Sequence, residues 1–340
     1  MDRLSIVLDN YLFDFTPLTR LEQRPSMLLL EAPQGFVRLL PRLAGFLSRR
    51  LGVEARYRLE PSYGLCSASL SLLEQHPGAV LVHVGHDYYP YPYCGLGGCR
   101  YRLPSRVVTV PGLYLGGDAG SLAEKAVQHV GRGSVVAVGF SAQHRTLAST
   151  LAESLRRRGV EVALSEPLLG CYFAPFVKAA GRVDAFLVVA GGMFHALGLG
   201  LALRGEARLY RADPYLGGVE DVGGYVGRVL AKRLWLIHEF RARARRVAVL
   251  AGLLPGQHRP GVVEATAGLL ERKGIEYDIV YVERLSRELL DNLDPASYDS
   301  YIVTSCPRLA VEDLGDYWKP VLTPGEALAA LLGGEYRFPW

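Results

Sequence analysis

Lysine is scarce in this chain. Only Lys125, Lys178, Lys232, Lys273 and Lys319 occur, so nearly all of the positive charge is arginine, which fits either a hot habitat or a biased nucleotide composition. The 38 basic residues against 34 acidic ones leave a formal charge of +4, too even to argue for nucleic acid as a direct partner. The glycine signatures that cradle phosphates, G-x-G-x-x-G and G-x-x-x-x-G-K, are missing, which argues against an ordinary nucleotide-binding protein. There are only 5 cysteines and no C-x-x-C pair among them, which excludes the usual zinc modules. Long uninterrupted apolar runs are also wanting. The most apolar stretch, Ala185 to Leu203, is broken by Gly191, Gly192, His195, Gly198 and Gly200, and reads as strand, loop and helix rather than a membrane span. The opening Met1-Asp2-Arg3-Leu4-Ser5 lacks the basic and then apolar pattern of a secretory signal. The expectation is a soluble, cytoplasmic protein with no membrane partner, whose thiols serve as ligands or buried hydrophobes more readily than as disulfides.

What is present is a repeat. With 340 residues, 49% of them hydrophobic, the chain is too long for one core and should bury two or three. One pattern is written three times. The copies begin with apolar strands starting at Ser26, Gly133 and Arg246. Each is followed by a loop carrying glutamine (Gln34, Gln143, Gln257), then by a helical stretch ending in a basic turn and a glycine: Arg49-Arg50-Leu51-Gly52, Arg156-Arg157-Arg158-Gly159 and Arg272-Lys273-Gly274. Basic residues offset the negative end of a helix, and glycine takes the left-handed cap without steric cost. Second, third and fourth strands follow in each copy. They read as continuous apolar runs, the mark of parallel strands covered on both faces. The fold class is therefore α/β: three similar parallel-sheet βαβ-type domains arranged around a pseudo-threefold axis. Their boundaries fall at 1–112, which includes a partly helical N-terminal arm over residues 1–25, at 113–240 and at 241–340. The arginines from Arg233 to Arg246 read as a solvated helix face.

Three thiols end strands in this scheme: Cys66 and Cys171 after second strands, Cys306 after a third. Open α/β sheets place their chemistry at such ends. Spacing alone leaves two readings open, three buried hydrophobes or one shared metal centre.

The segments Tyr63-Gly64-Leu65-Cys66, Val82-His83-Val84-Gly85-His86, Gln143-His144, Gly191-Gly192-Met193-Phe194-His195, Pro255-Gly256-Gln257, Ser305-Cys306-Pro307-Arg308-Leu309 and Lys319-Pro320-Val321-Leu322-Thr323-Pro324 resemble the archaeal diphthamide synthases, the 2-(3-amino-3-carboxypropyl)histidine synthases. The resemblance runs from about Met27 to about Ala330, and its Cys-Pro-Arg-Leu and Lys-Pro-Val-Leu-Thr-Pro pieces are the specific ones. It implies a 4Fe-4S cluster held by Cys66, Cys171 and Cys306, with one iron left without a protein ligand. It also implies S-adenosylmethionine as substrate, an external electron donor, radical transfer of the 3-amino-3-carboxypropyl group to a histidine of translation elongation factor 2, and a homodimer. Beside it, Gln34, Gln143, His144 and Gln257 are expected to hold the methionine part of the substrate, since turns opening helices favour a carboxylate. His86, His195 and Arg308 are the catalytic candidates. Two features depart from the pattern: Ser67-Ala68-Ser69 replaces an acidic continuation, and an aromatic, glycine-rich stretch from Tyr88 carries Cys94 and Cys99, whose spacing suits a disulfide, a metal or neither. They leave room for a non-catalytic cluster-binding paralogue or partner. A quinolinate-synthase-like 4Fe-4S enzyme is a further alternative.

Overall fold

The structure, a computed structural model, describes residues 4–87, 103–293 and 296–340; Cys94 and Cys99 lie outside the described residues. The chain opens on two short strands, β1 (Ser5–Leu8) and β2 (Tyr11–Asp14). It continues through β3 (Met27–Glu31), β4 (Glu54–Tyr57), β5 (Ala79–Val84), β6 (Val107–Val110) and β7 (Gly112–Tyr114). Next come β8 (Val135–Phe140), β9 (Glu161–Pro167), β10 (Ala185–Val189), β11 (Leu209–Asp213) and β12 (Gly218–Asp221). The last group is β13 (Arg246–Gly252), β14 (Glu276–Val282), β15 (Ser300–Val303) and β16 (Val321–Leu322).

Three sheets share one strand order, β4-β3-β5-β6, β9-β8-β10-β11 and β14-β13-β15-β16, and β12 adds an antiparallel edge to the second. Within each shared order all pairings are parallel. The molecule is thus a mixed α/β protein with several parallel sheets. The continuous apolar runs have the burial expected of them, since β3, β5, β10 and β15 are buried at every residue. The expected caps are in place too: Gly52, Gly159 and Gly274 follow their helices at φ 61, 81 and 66.

In this order the second strand lies on one side of the first and the chain then crosses back over the first to place the third on the other side, so the switch point falls between the first and third strands. The carboxyl ends beside such a switch point are where open α/β sheets form their ligand-binding crevice. In the first sheet it lies between β3 and β5, and in the third between β13 and β15.

The described residues form two compact units. One runs from the start of the chain to Gly117 with Ala142–Leu147 added, and the other comprises Asp118–Ser141 and Ala148–Trp340.

Two expectations are corrected. Of the partly helical arm expected over residues 1–25, the described residues 4–25 are mainly a β-hairpin, with β2 also pairing to β7 and the helical part confined to Thr16–Arg20, a 3-10 turn. Asp9 and Asn10, at φ 49 and 64, supply the left-handed pair of residues that a two-residue hairpin needs. Phe13, wholly buried, then packs edge-on against Phe36 at 5.5 Å. The arginines from Arg233 onward are not one solvated face. Arg233 is 1% exposed and ion-paired to Glu326, and Arg241 donates to the carbonyls of Ala329 and Ala330. A guanidinium with five donors suits such carbonyl-rich interiors.

Candidate functional site

In the first unit Cys66 is half-buried in a 3-10 turn, Leu65–Ser67, after β4. Serines staple the turn. The Tyr63 amide donates to Ser67 Oγ at 2.8 Å, and the Ser67 hydroxyl donates to the Gly64 carbonyl at 3.0 Å. Ser69 N–H donates to Glu31 Oε2 at 3.1 Å, and Arg58 donates to Ser69 Oγ at 2.5 Å. The serines that replace the acidic continuation therefore have a structural task.

Glu31 ends β3, is wholly buried, and pairs with His83 of β5: Glu31 Oε1 lies 2.7 Å from His83 Nδ1. His83 Nε2 lies 2.9 Å from His86 Nδ1, with the two rings stacked at 5.2 Å. Burial pushes the Glu31 carboxyl up, but the hydrogen bond and charge of His83, with the Ser69 contacts, outweigh it and leave it below the usual carboxylate range. The adjoining turn is tied to the same loop. Gln143 Nε2 donates to the Gly85 carbonyl at 3.1 Å, Arg145 pairs with Asp87, and buried His144 stands edge-on to Tyr114 at 5.8 Å. Gln34 does not join this group, because its position on the first turn of Gln34–Val37 is exposed.

The second unit holds the other two cysteines. Reciprocal bonds between Leu169 and Tyr172, at 3.0 and 3.1 Å, close a tight turn around Gly170-Cys171. Gly170 N–H donates to His195 Nδ1 at 3.1 Å, and a Cβ at Gly170 would stand 2.6 Å from the Phe194 ring. The Arg308 guanidinium sits 5.7 Å from the centre of that same ring, with its Nε donating to Glu312 at 2.9 Å. Phe194 thus links the Cys171 turn to the segment that follows Cys306. Enclosure pushes the Cys306 thiol up, opposed by the Arg308 and Leu309 amides and the charge of Arg259. In the crevice of the third sheet, a Cβ at Gly252 would meet Ser305 Cβ at 2.6 Å and Gln257 Cβ at 3.2 Å, so Gln257, 4% exposed, is wedged beside the Cys306 loop. Arg259, also buried, stacks on Trp340 at 3.7 Å.

Each unit thus gathers predicted residues: Cys66, His86, Gln143 and His144 belong to the first, and Cys171, His195, Gln257, Cys306 and Arg308 to the second. Glu31 and Arg259 are not singled out by sequence patterns, and His83, inside the Val82–His86 segment, is not among the expected site residues. For Glu31 the available signal is a carboxylate closing an otherwise apolar strand.

Among the described residues no three Cys, His, Asp or Glu side chains close on a single metal ion. A four-iron cluster asks for something else, because each thiolate takes a different iron. Half-buried thiols in stapled loops, with arginine charge near Cys306, fit such a group.

A family model described as "Putative diphthamide synthesis protein" matches residues 32–337. The 2-(3-amino-3-carboxypropyl)histidine synthase of Pyrococcus horikoshii is 26% identical over 325 residues, covering 91% of this chain and 87% of that protein. The synthase subunit 1 of Nematostella vectensis is 24% identical over 341 residues, covering 95% of this chain and 68% of that protein. Among solved structures, Dph2 from Pyrococcus horikoshii with a 4Fe-4S cluster superimposes with a TM-score of 0.79 at 26% identity, covering 95% of this chain and 91% of that one. With a match that runs through all three parallel sheets, this chain belongs to the diphthamide synthesis protein family.

Proposed function

We propose that this chain is a 4Fe-4S transferase, a 2-(3-amino-3-carboxypropyl)histidine synthase that carries out the first step of diphthamide synthesis. It moves the 3-amino-3-carboxypropyl group of S-adenosylmethionine to a ring carbon of a histidine in translation elongation factor 2. The observation that carries this reading is the placement of Cys66, Cys171 and Cys306, each in a loop at the carboxyl edge of one of three sheets with the same strand order. In a family whose Pyrococcus relative is described with a 4Fe-4S cluster, these are the thiolates that would hold it. When bound, the cluster supplies the electron that breaks a carbon–sulfur bond of the sulfonium by a radical route, which an imidazole carbon cannot do as a plain nucleophile.

The rest belongs to the protein's own side chains. Gln143, His144 and Gln257, held in turns at the carboxyl edges of their sheets, orient the methionine part of the substrate; exposed Gln34 is set aside. Arg308 brings positive charge beside the Cys306 loop for the substrate carboxylate. His195 holds the Cys171 turn through Gly170, and His86 stands ready for proton transfer. The same reading includes three domains at 1–112, 113–240 and 241–340 about a pseudo-threefold axis, a homodimer, an external reductant and a cytoplasmic setting.

Anaerobically reconstituted protein given dithionite, S-adenosylmethionine and elongation factor 2 should yield the modified histidine by mass spectrometry, and Cys306→Ala should yield none. A cluster without turnover in the unaltered chain would instead establish a non-catalytic cluster-binding protein.

A further inference from the structure

The segment from Glu335 to Trp340 has no part in the transferase reading, yet it is tied down along its length. Glu335 pairs with Arg204, and the Tyr336 hydroxyl donates to Glu326 at 2.9 Å. The Gly325 amide, in the first turn of the helix Pro324–Leu332, donates to the Pro339 carbonyl at 2.8 Å. The segment curls closely around that glycine: a Cβ there would stand 2.9 Å from the Arg337 carbonyl oxygen and 3.0 Å from the Trp340 carbonyl carbon. Tyr336 packs against the cores of both the second and the third sheet, so the segment bridges them within one unit.

Its two rings are spent on the supports of two thiol loops. Phe338 stacks on Phe173 at 6.1 Å with the ring planes 21° apart, and Phe173 lies two residues past Cys171. The Phe173 carbonyl accepts from the Phe176 and Val177 amides at 2.9 and 3.1 Å, so this residue fixes the start of the helix that follows the Cys171 turn. Trp340 carries the guanidinium of buried Arg259 on its face at 3.7 Å. Arg259 closes the turn in which Gln257 is wedged against Ser305, the neighbour of Cys306. Enclosure pushes the Cys306 thiol up, and the charge of Arg259 is among the influences that oppose it.

A shared cluster makes such support necessary. Cys171 and Cys306 sit in loops after strands of different sheets, and loops of this kind are the parts of a fold that open first. A site assembled from them holds its geometry only if neighbouring side chains lock each loop in place. Resting on the transferase reading for the thiolate set alone, we infer that Phe338 and Trp340 are positioning residues for the cluster, Phe338 fixing the Cys171 loop through Phe173 and Trp340 fixing the charge of Arg259 beside the Cys306 loop. An aromatic face suits the second task, because it attracts a guanidinium and restrains it without neutralising it. Positive charge held near an iron–sulfur cluster favours its reduced form.

The test uses the full chain, reconstituted anaerobically with iron(II) and sulfide. Phe338→Ala and Trp340→Ala should lose iron to a chelator on the order of tenfold faster than the wild type, while Phe338→Tyr and Trp340→Phe, which keep a flat ring, should hold it as the wild type does. Phe338→Leu keeps apolar volume without the stacked face and should behave as the alanine variant does, which covers the case of an alanine variant that does not fold. Amide exchange in the cluster-free chain separates positioning from general loosening. Phe338→Ala should speed exchange at Leu169 and Tyr172, and Trp340→Ala at Gln257 and His258, with β8 and β13 still protected. Arg259→Met and Trp340→Ala should both move the cluster's midpoint potential to more negative values, and Phe338→Ala should not. Wild-type iron retention in both alanine variants overturns the proposal, and so does exchange that rises equally in β8 and β13, the mark of a merely structural role. An unchanged midpoint in Arg259→Met overturns the role given to Trp340. A wild-type chain that takes up no cluster overturns the thiolate set instead, and exchange in the cluster-free chain then decides the positioning alone.

Discussion

Replacing Arg233 of the second unit with Met removes a buried guanidinium that makes four hydrogen bonds. The group, 1% exposed, donates to Glu326 Oε1 at 2.8 Å and Oε2 at 2.5 Å, to the Ala310 carbonyl at 3.0 Å and to the Val321 carbonyl at 2.7 Å. Glu326 is itself wholly buried, accepting from the Thr323 amide at 2.8 Å and the Tyr336 hydroxyl at 2.9 Å. Met fills similar volume but leaves a carboxylate in the interior without its cation and two carbonyls without donors. Breaking one side of a buried pair costs about 3–5 kcal/mol, against a total of roughly 5–15 kcal/mol for a folded domain. With a urea slope of about 3 kcal/mol per molar, a loss of about 4 kcal/mol lowers the unfolding midpoint by about 1 M. Tryptophan fluorescence is the assay, because Trp235, Trp318 and Trp340 all belong to this unit. The double substitution Arg233→Met with Glu326→Gln should recover about 1 kcal/mol, since the neutral amide still accepts from the Thr323 amide and the Tyr336 hydroxyl while no charge is left buried. Ala310 lies four residues past Cys306, so the single variant should also reduce iron–sulfur absorbance per chain. A loss below about 1 kcal/mol, the value of an exposed pair, would refute the reasoning.

Gly198→Ala is expected to displace the Cys171 turn, because the added methyl would stand 2.3 Å from the Gly170 carbonyl oxygen; overpacking of this kind costs about 1–3 kcal/mol, and reconstituted cluster content should fall with it. His195→Phe leaves the Gly170 amide without its acceptor, and a loss of roughly 1 kcal/mol in denaturation is expected together with faster amide exchange at Gly170. The Glu31 carboxyl lies below its ordinary value of 4.5, so its stabilisation is fully present above that pH and is lost as pH falls through the folded value. Acid titration of stability should therefore be steeper for the wild type than for Glu31→Gln, and equal slopes would sink the assignment.

Much of the architecture is legible from local signals. Runs such as Met27–Glu31, Ala79–Val84 and Ala185–Val189 declare covered parallel strands because every residue in them is compatible with burial. Arginine-rich helix ends before Gly52, Gly159 and Gly274 mark stops that depend on only a few neighbouring residues. The hairpin of Ser5–Asp14 is less visible, since its strands are four residues each and its third strand, Gly112–Tyr114, arrives a hundred residues later.

Side-chain environment follows a different logic. Gln34, Gln143 and Gln257 occupy equivalent turns by pattern, yet one is exposed, one half-buried and one 4% exposed, because each meets a different neighbour. Arg233 looks like any other arginine on a basic helix, and its partners Ala310, Val321 and Glu326 are 77, 88 and 93 residues away.

The amino-acid order alone determined the triple strand–helix repeat, its stops and the three loops that carry cysteine, since these depend on periodicity, propensity and caps within a few residues. Tertiary structure decided that Glu31 faces His83 across two strands, that Phe194 lies between Gly170 and Arg308, and that Arg233 is sealed inside. Those outcomes depend on which distant segments pack together, and the desolvation that makes a buried charge or thiol chemically distinctive exists only once they do.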